Sequence, residues 1–300
     1  MANPICFSPL KFYDDVAKQC HRRSYAFNRI SAPLISRRGF IPGFQFVLPS
    51  DLYEGGSTVM AVYLHDAETD GVVSENLVTA LGSAAGVGLS IMEVSDFHVV
   101  VFGGQLPVLP FTQEGLFYLE IVGSNEAWRY YSEVFCTKSN VDDCIEVDYW
   151  NGGNNPFYIK NGIIAFPANF HFRLLLQTEL GKPEYSFKEE ATERGGYSFV
   201  ESQVSKKVYR FNILAPEHLC DAMRIIRLCS DKVVRTKYGD LEALSFSFEV
   251  DWQTQGDLAS VNCEFEVDNV INNLGGFVSP LIGGDYNDDY NQDFNTGEQQ

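Results

Sequence analysis

The stretch CIEVDYW, Cys144–Trp150, alternates so that Ile145, Val147 and Tyr149 share one side while Glu146 and Asp148 share the other. SFSFEVDW, Ser245–Trp252, repeats the pattern with Phe246, Phe248, Val250 and Trp252 on one face. A period of two is the spacing of a pleated strand with one buried side, and it is not the spacing of an amphipathic helix. Runs of this kind recur along the chain, so the fold must be mainly β. With 45% hydrophobic and 14% aromatic residues, the chain can fill real cores and is not disordered throughout.

Strands are expected over 44–48, 58–65, 97–102, 115–122, 128–136 and 144–150, then over 159–166, 170–177, 204–215, 233–236, 241–252 and 259–267. The two sets read as two β-sandwich-like domains, at 44–150 and 157–271, the second with one packed helix at 216–229. NGGNNP, Asn151–Pro156, clusters glycine, asparagine and proline and marks a linker between them. Residues 1–43, interrupted by Pro33, Gly39 and Pro42, read as an extended N-terminal arm. Residues 272–300, poor in core formers and rich in Gly, Asn, Asp and Tyr, read as a flexible acidic tail. A short helix is expected over 74–81, and the polar FKEEATERGGYSF, Phe187–Phe199, reads as a long exposed loop.

The net charge of −18 is unevenly placed: residues 44–150 hold sixteen acids and two bases, residues 285–300 five acids and no base, and residues 11–38 seven bases and two acids. So acidic a chain is a poor sequence-independent binder of nucleic acid, which needs Lys and Arg to neutralise phosphates. A basic arm beside an acidic domain suits docking across a subunit boundary; two solvated surfaces of opposite sign are the plain alternative. Seven cysteines, Cys6, Cys20, Cys136, Cys144, Cys220, Cys229 and Cys263, are scattered with no CxxC. That pattern fits reduced, mostly buried thiols in a protein assembled inside a cell. No apolar segment follows Met1 as in a signal peptide, and no apolar run has the length of a membrane helix. A soluble protein without a membrane partner is expected.

Motifs that carry chemistry fail one by one. In YRFNILAPEHLCDAMRIIRL, Tyr209–Leu228, a strand meets a proline and then helical spacing, with Glu217, His218, Cys220 and Asp221 at the break. Pro216 suits a first helical turn, Glu217 and Asp221 suit the positive end of the dipole, and Arg224 and Arg227 suit the other end. Leu219, Ala222, Met223 and Ile226 make a core-facing stripe. His218 and Cys220 point to different sides of a helix and cannot share one ion, and HExxH and Cys/His zinc spacings are missing. Cys136 and Cys144 flank an expected hairpin whose geometry permits a disulfide, with free thiols the preferred reading. His21, His65, His98, His171 and His218 are far apart in sequence. Gly86 and Gly88 lack the rest of a dinucleotide fingerprint, and Asp285, Asn287 and Asp289 begin a calcium-loop pattern that fails at Tyr290 and Thr296. The adjacent pairs Glu189–Glu190 and Asp142–Asp143 carry little weight as acid–base pairs. No catalytic, cofactor-binding or metal-ligating residue is assigned, and no cofactor is expected.

Other wording in the chain is distinctive. YYSEVF (Tyr130–Phe135), QTELGKPEYSF (Gln177–Phe187), APEHLCDAMRIIRL (Ala215–Leu228), QGDLASVNCEFE (Gln255–Glu266) and the early FYDDVAKQCHRRSYAF resemble tail-region virion proteins of phages and prophages of Bacteroides-type bacteria, including crAss-like phages. The resemblance implies a non-enzymatic structural protein forming a homo-oligomeric ring in the tail, baseplate or head–tail collar, with a distal-tail or tail-tube-like second domain. It implies assembly in the host cytoplasm, contact with tail, collar or portal-proximal proteins, and passage of phage DNA without specific binding. The rival readings are a carbohydrate-binding β-sandwich, with Tyr130, Tyr131 and Trp150 stacking on a host glycan, and a glycan hydrolase using scattered acids.

Overall fold

A computed structural model describes residues 7–13, 33–49, 59–74, 76–77, 89–94, 97–104, 113–123, 128–151, 158–159, 162–163, 171–194, 197–252, 258–267 and 271–274. Among them the chain is mainly β, with nineteen strands and one helix. It divides into two compact units: residues 1–183 with 209–268, and residues 184–208 with 269–300. The expected short helix over 74–81 falls mostly outside the described residues, as does the tail beyond 274.

In the first part of unit 1, β1 (Phe12–Tyr13), β2 (Leu34–Arg37), β4 (Val59–Asp66), β7 (Gly115–Gly123), β8 (Arg129–Ser132) and β9 (Phe135–Lys138) join one sheet, in the order β1-β8-β7-β9-β2 with β4 on the other edge of β7. The expected single strand over 128–136 is interrupted at Glu133–Val134, and its two pieces pair with the same edge of β7. A separate sheet has β3 (Phe44–Pro49), β6 (Phe97–Phe102) and β5 (Ser90–Val94) in that order. Phe44, Phe46, Phe102 and Trp128 are buried between strands. Gly104, at φ +84°, lies so close to Gly43 that a Cβ would sit 2.7 Å from the Gly43 nitrogen, so only glycine fits.

The large sheet continues through β13 (Phe172–Gln177), β10 (Cys144–Trp150), β16 (Asp231–Thr236), β17 (Gly239–Trp252), β18 (Leu258–Val267) and β15 (Tyr197–Pro216). Immediately after β13, Thr178 Oγ1 donates to the Asn212 carbonyl at 2.8 Å and Gly181 N to the Arg210 carbonyl at 2.9 Å. These bonds tie the segment after β13 to β15.

The helix, α1 (Glu217–Leu228), begins at Pro216 and packs against β17 and β18. Its buried residues are Leu219, Cys220, Ala222, Met223, Ile225 and Ile226, which contain the expected stripe. Met223 and Ile226 are fully buried in the same core as Ile145, Val147, Tyr149, Phe211, Phe246 and Phe265. Each such side chain contributes about 1.5–3 kcal/mol by leaving water.

Three sequence expectations end differently. The boundary at 151–156 does not divide unit 1: β10 lies before it, yet both its edges are bonded to later strands, with Val147 opposite Leu174 and Val234. The described parts of the arm are built into the body. Leu10 is fully buried, β1 pairs with β8, and β2 sits between β9 and β13. Proline and glycine signalled extended backbone there, and extended backbone is equally what a strand needs. The expected loop over 187–199 is a hairpin between β14 (Glu184–Arg194) and β15. Arg194 opposite Tyr197 leaves two residues between the strands, Gly195–Gly196, the spacing of a tight β-turn.

Candidate functional site

The alternation of CIEVDYW places Glu146 and Asp148 away from the apolar core, yet both are buried, at 4% and 1% exposure. Neighbouring strands supply the cover. Arg235 of β16 reaches Glu146 at 2.8 Å and Asp148 at 3.0 Å. Arg173 of β13 stands 3.3 Å from Asp148, and Arg37 of β2 stands 3.6 Å from Glu146. His171 Nδ1 lies 3.4 Å from Asp148, with its ring stacked on Trp150 at 4.4 Å. Arg235 also extends to Asp240 at 3.3 Å. The register explains the convergence: Asp148 is opposite Arg173, and Glu146 is opposite Arg235. Ile35, Cys144 and Leu175 form a small apolar cluster of their own. Both carboxylates are thus covered and engaged by guanidinium groups. The cluster is a clamp across four strands.

A second buried group lies on β4, β7 and β8. Glu120 Oε2 meets His65 Nε2 at 2.6 Å, while Arg129 donates to Oε1 at 2.7 Å and the Tyr131 hydroxyl at 3.3 Å. Tyr118 stacks on His65 and its hydroxyl donates to Asp70. The His65 hydrogen bond holds the Glu120 carboxyl below the usual carboxylate range. The arrangement has an oriented histidine and a carboxylate. Tyr118 and Tyr131, the hydroxyl-bearing side chains beside it, spend their hydroxyls on carboxylates.

The other residues singled out from the sequence are placed as follows. Glu217, His218, Cys220 and Asp221 lie in the first turns of α1 and do not converge: Cys220 is buried, Asp221 pairs with Arg224, and His218 reaches Glu133 at 2.8 Å. Glu133 also accepts from the Lys11 amide at 3.1 Å, so this histidine helps fasten the N-terminal segment. Cys136 and Cys144 are both free thiols. They do not flank a hairpin, because β2 and β13 lie between their strands. Three strand spacings of about 4.8 Å put them far beyond disulfide reach. Burial pushes up all five described thiols, Cys144 and Cys229 to about 12. Raised thiols are not nucleophiles at neutral pH. Glu189 and Glu190 are exposed and engaged by Gln203 and Lys188. Asp142 and Asp143 are exposed, Asp143 accepting from Gln177. Of the aromatics proposed to stack on a glycan, Tyr131 is buried, Tyr130 packs on Phe46 and Trp128, and Trp150 packs on His171. His98 is buried on β6. Cys6, Cys20, His21, Gly86, Gly88, Asp285, Asn287 and Asp289 lie outside the described residues. Among the described residues, no group of His, Cys, Asp and Glu side chains is arranged to hold a metal ion, and no helix is long and apolar enough to cross a membrane.

Two surface features remain. In unit 2, β14 pairs on one edge with β15, whose residues 202–205 also pair with β19 (Ile271–Leu274). On β14, Tyr185 and Phe187 are 60% and 76% exposed. In unit 1, an open cleft of about 600 Å³ lies beside β2, β13 and β15, lined by Leu34, Ile35, Leu175, Leu214 and Leu219, with Lys138 on its wall. Exposed aromatics and open apolar clefts are features of binding surfaces. No protein-family model matches the chain, and no curated protein matches it in sequence.

Proposed function

We propose that the protein is a non-enzymatic structural subunit of a phage virion, assembled as a homo-oligomeric ring in the tail, baseplate or head–tail collar and docked to neighbouring virion proteins. The observation that carries this reading is the exposure of Tyr185 and Phe187 on the long strand β14. Large aromatics standing in water on a strand at a sheet margin favour association with another chain. The chemistry points the same way. The buried acids are spent on arginines, burial raises the described thiols, and a net charge of −18 suits a protein past which DNA moves without specific binding. Those features suit assembly and do not supply a reactive centre. Analytical ultracentrifugation and negative-stain electron microscopy of the full chain test it: closed rings of identical subunits are expected, and a strict monomer at high concentration, never found in purified virions, would overturn it.

A further inference from the structure

We infer that Tyr185 and Phe187 of one copy seat in the apolar cleft of a second copy, making a head-to-tail contact. The inference rests on the ring-subunit reading above and names its contact. Tyr185, Phe187 and Glu189 alternate along β14 ahead of the register shift at Glu190/Ala191, so the three share one face. Each is exposed and so available for contact. The cleft is open and about 600 Å³, within the range of pockets that hold buried ligand groups.

The two surfaces match in chemistry and in order. Two aromatic side chains, which bury about 150–250 Å² each, meet leucine and isoleucine side chains from β2, β13 and β15 and the start of α1. Glu189 follows the aromatics on the hairpin, and Lys138 stands on the cleft wall beside the apolar floor. An acid flanking the knob and a base flanking the hole fix one orientation. Knob and hole are different patches of the same chain, so the contact is heterologous. Such a contact repeats from copy to copy and closes into a ring when the rotation allows. Leu214, on the cleft wall and 53% exposed, is then the residue that an incoming Phe187 covers.

Sedimentation and disulfide trapping of the full chain test the contact. Phe187→Ala and Leu214→Asp each change an exposed position, and unchanged melting curves would show that each variant folds. Each is expected to weaken association by roughly 30-fold or more, the loss typical of a central anchor. Copies carrying Phe187→Cys, mixed with copies carrying Leu214→Cys, are expected to give an interchain 187–214 disulfide under mild oxidation, identified by peptide mass. Rings that persist in both weakening variants, without that cross-link, would overturn this contact and leave the ring reading standing. A wild-type chain that never associates would overturn both.

Discussion

Single residues in this protein differ in consequence according to whether their charges are covered. Arg235 spans Glu146 and Asp148, both buried. Removing one partner leaves charges that water cannot reach, whereas the net value of an intact buried pair is modest. Arg235→Met is therefore expected to lower unfolding free energy by about 3 kcal/mol, the low end for a broken buried pair, because Arg37 and Arg173 remain beside the carboxylates. Chemical denaturation reads this directly, and Lys188→Ala, which removes a fully exposed pair with Glu190, should leave the midpoint unchanged. Glu120 gives the pH dependence. Its folded-state pKa is depressed, chiefly by the His65 hydrogen bond. The unfolded chain therefore binds this proton more readily, and the stability it contributes is present above the unfolded glutamate pKa of about 4.3 and lost as pH falls through the folded value. Glu120→Gln should flatten that acidic limb of the stability curve; a limb of unchanged slope would remove Glu120 from the account.

At the scale of elements, α1 shows how one helix can carry both core and fastening roles. Its buried stripe fills the space against β17 and β18, so Met223→Asp puts a charge at a fully buried position and is expected to abolish folding, seen as loss of near-ultraviolet circular dichroism. His218 faces the other way and ties α1 to Glu133. His218→Ala should cost about 1 kcal/mol, the value of one part-buried hydrogen bond, and should leave self-association intact. The helix was readable because every local signal agreed: a proline start, acids early, arginines late and apolar residues at helical spacing. The hairpin β14–β15 was misread as a loop because its strands carry polar residues on both faces. The useful signal was the glycine pair in the sequence, Gly195–Gly196, a pairing that short hairpin connections favour.

For the whole molecule, the decisive fact is that β10 is bonded on both edges to strands that follow it in sequence. Cutting the chain within 151–156 should not yield two independent domains. Residues 1–150 alone would lose the strands that flank β10, along with Arg173 and Arg235. That fragment is expected to show no cooperative thermal transition, whereas co-expressed fragments 1–150 and 157–300 should recover one. A cooperative melt of 1–150 alone would restore the boundary that composition suggested. The sequence by itself determined the mainly β class, most of the longer described strands and the single described helix, since these depend on periodicity and caps within a few residues of each other; β1, β2, β5, β14 and β19 were not expected. Only the tertiary structure decided that the acids of CIEVDYW are buried, that Cys136 and Cys144 are separated by two strands, and that the described strands β1 and β2 join the large sheet. Each of those follows from which strands become neighbours, and neighbour choice is set by contacts between residues far apart in the chain, on which local spacing is silent.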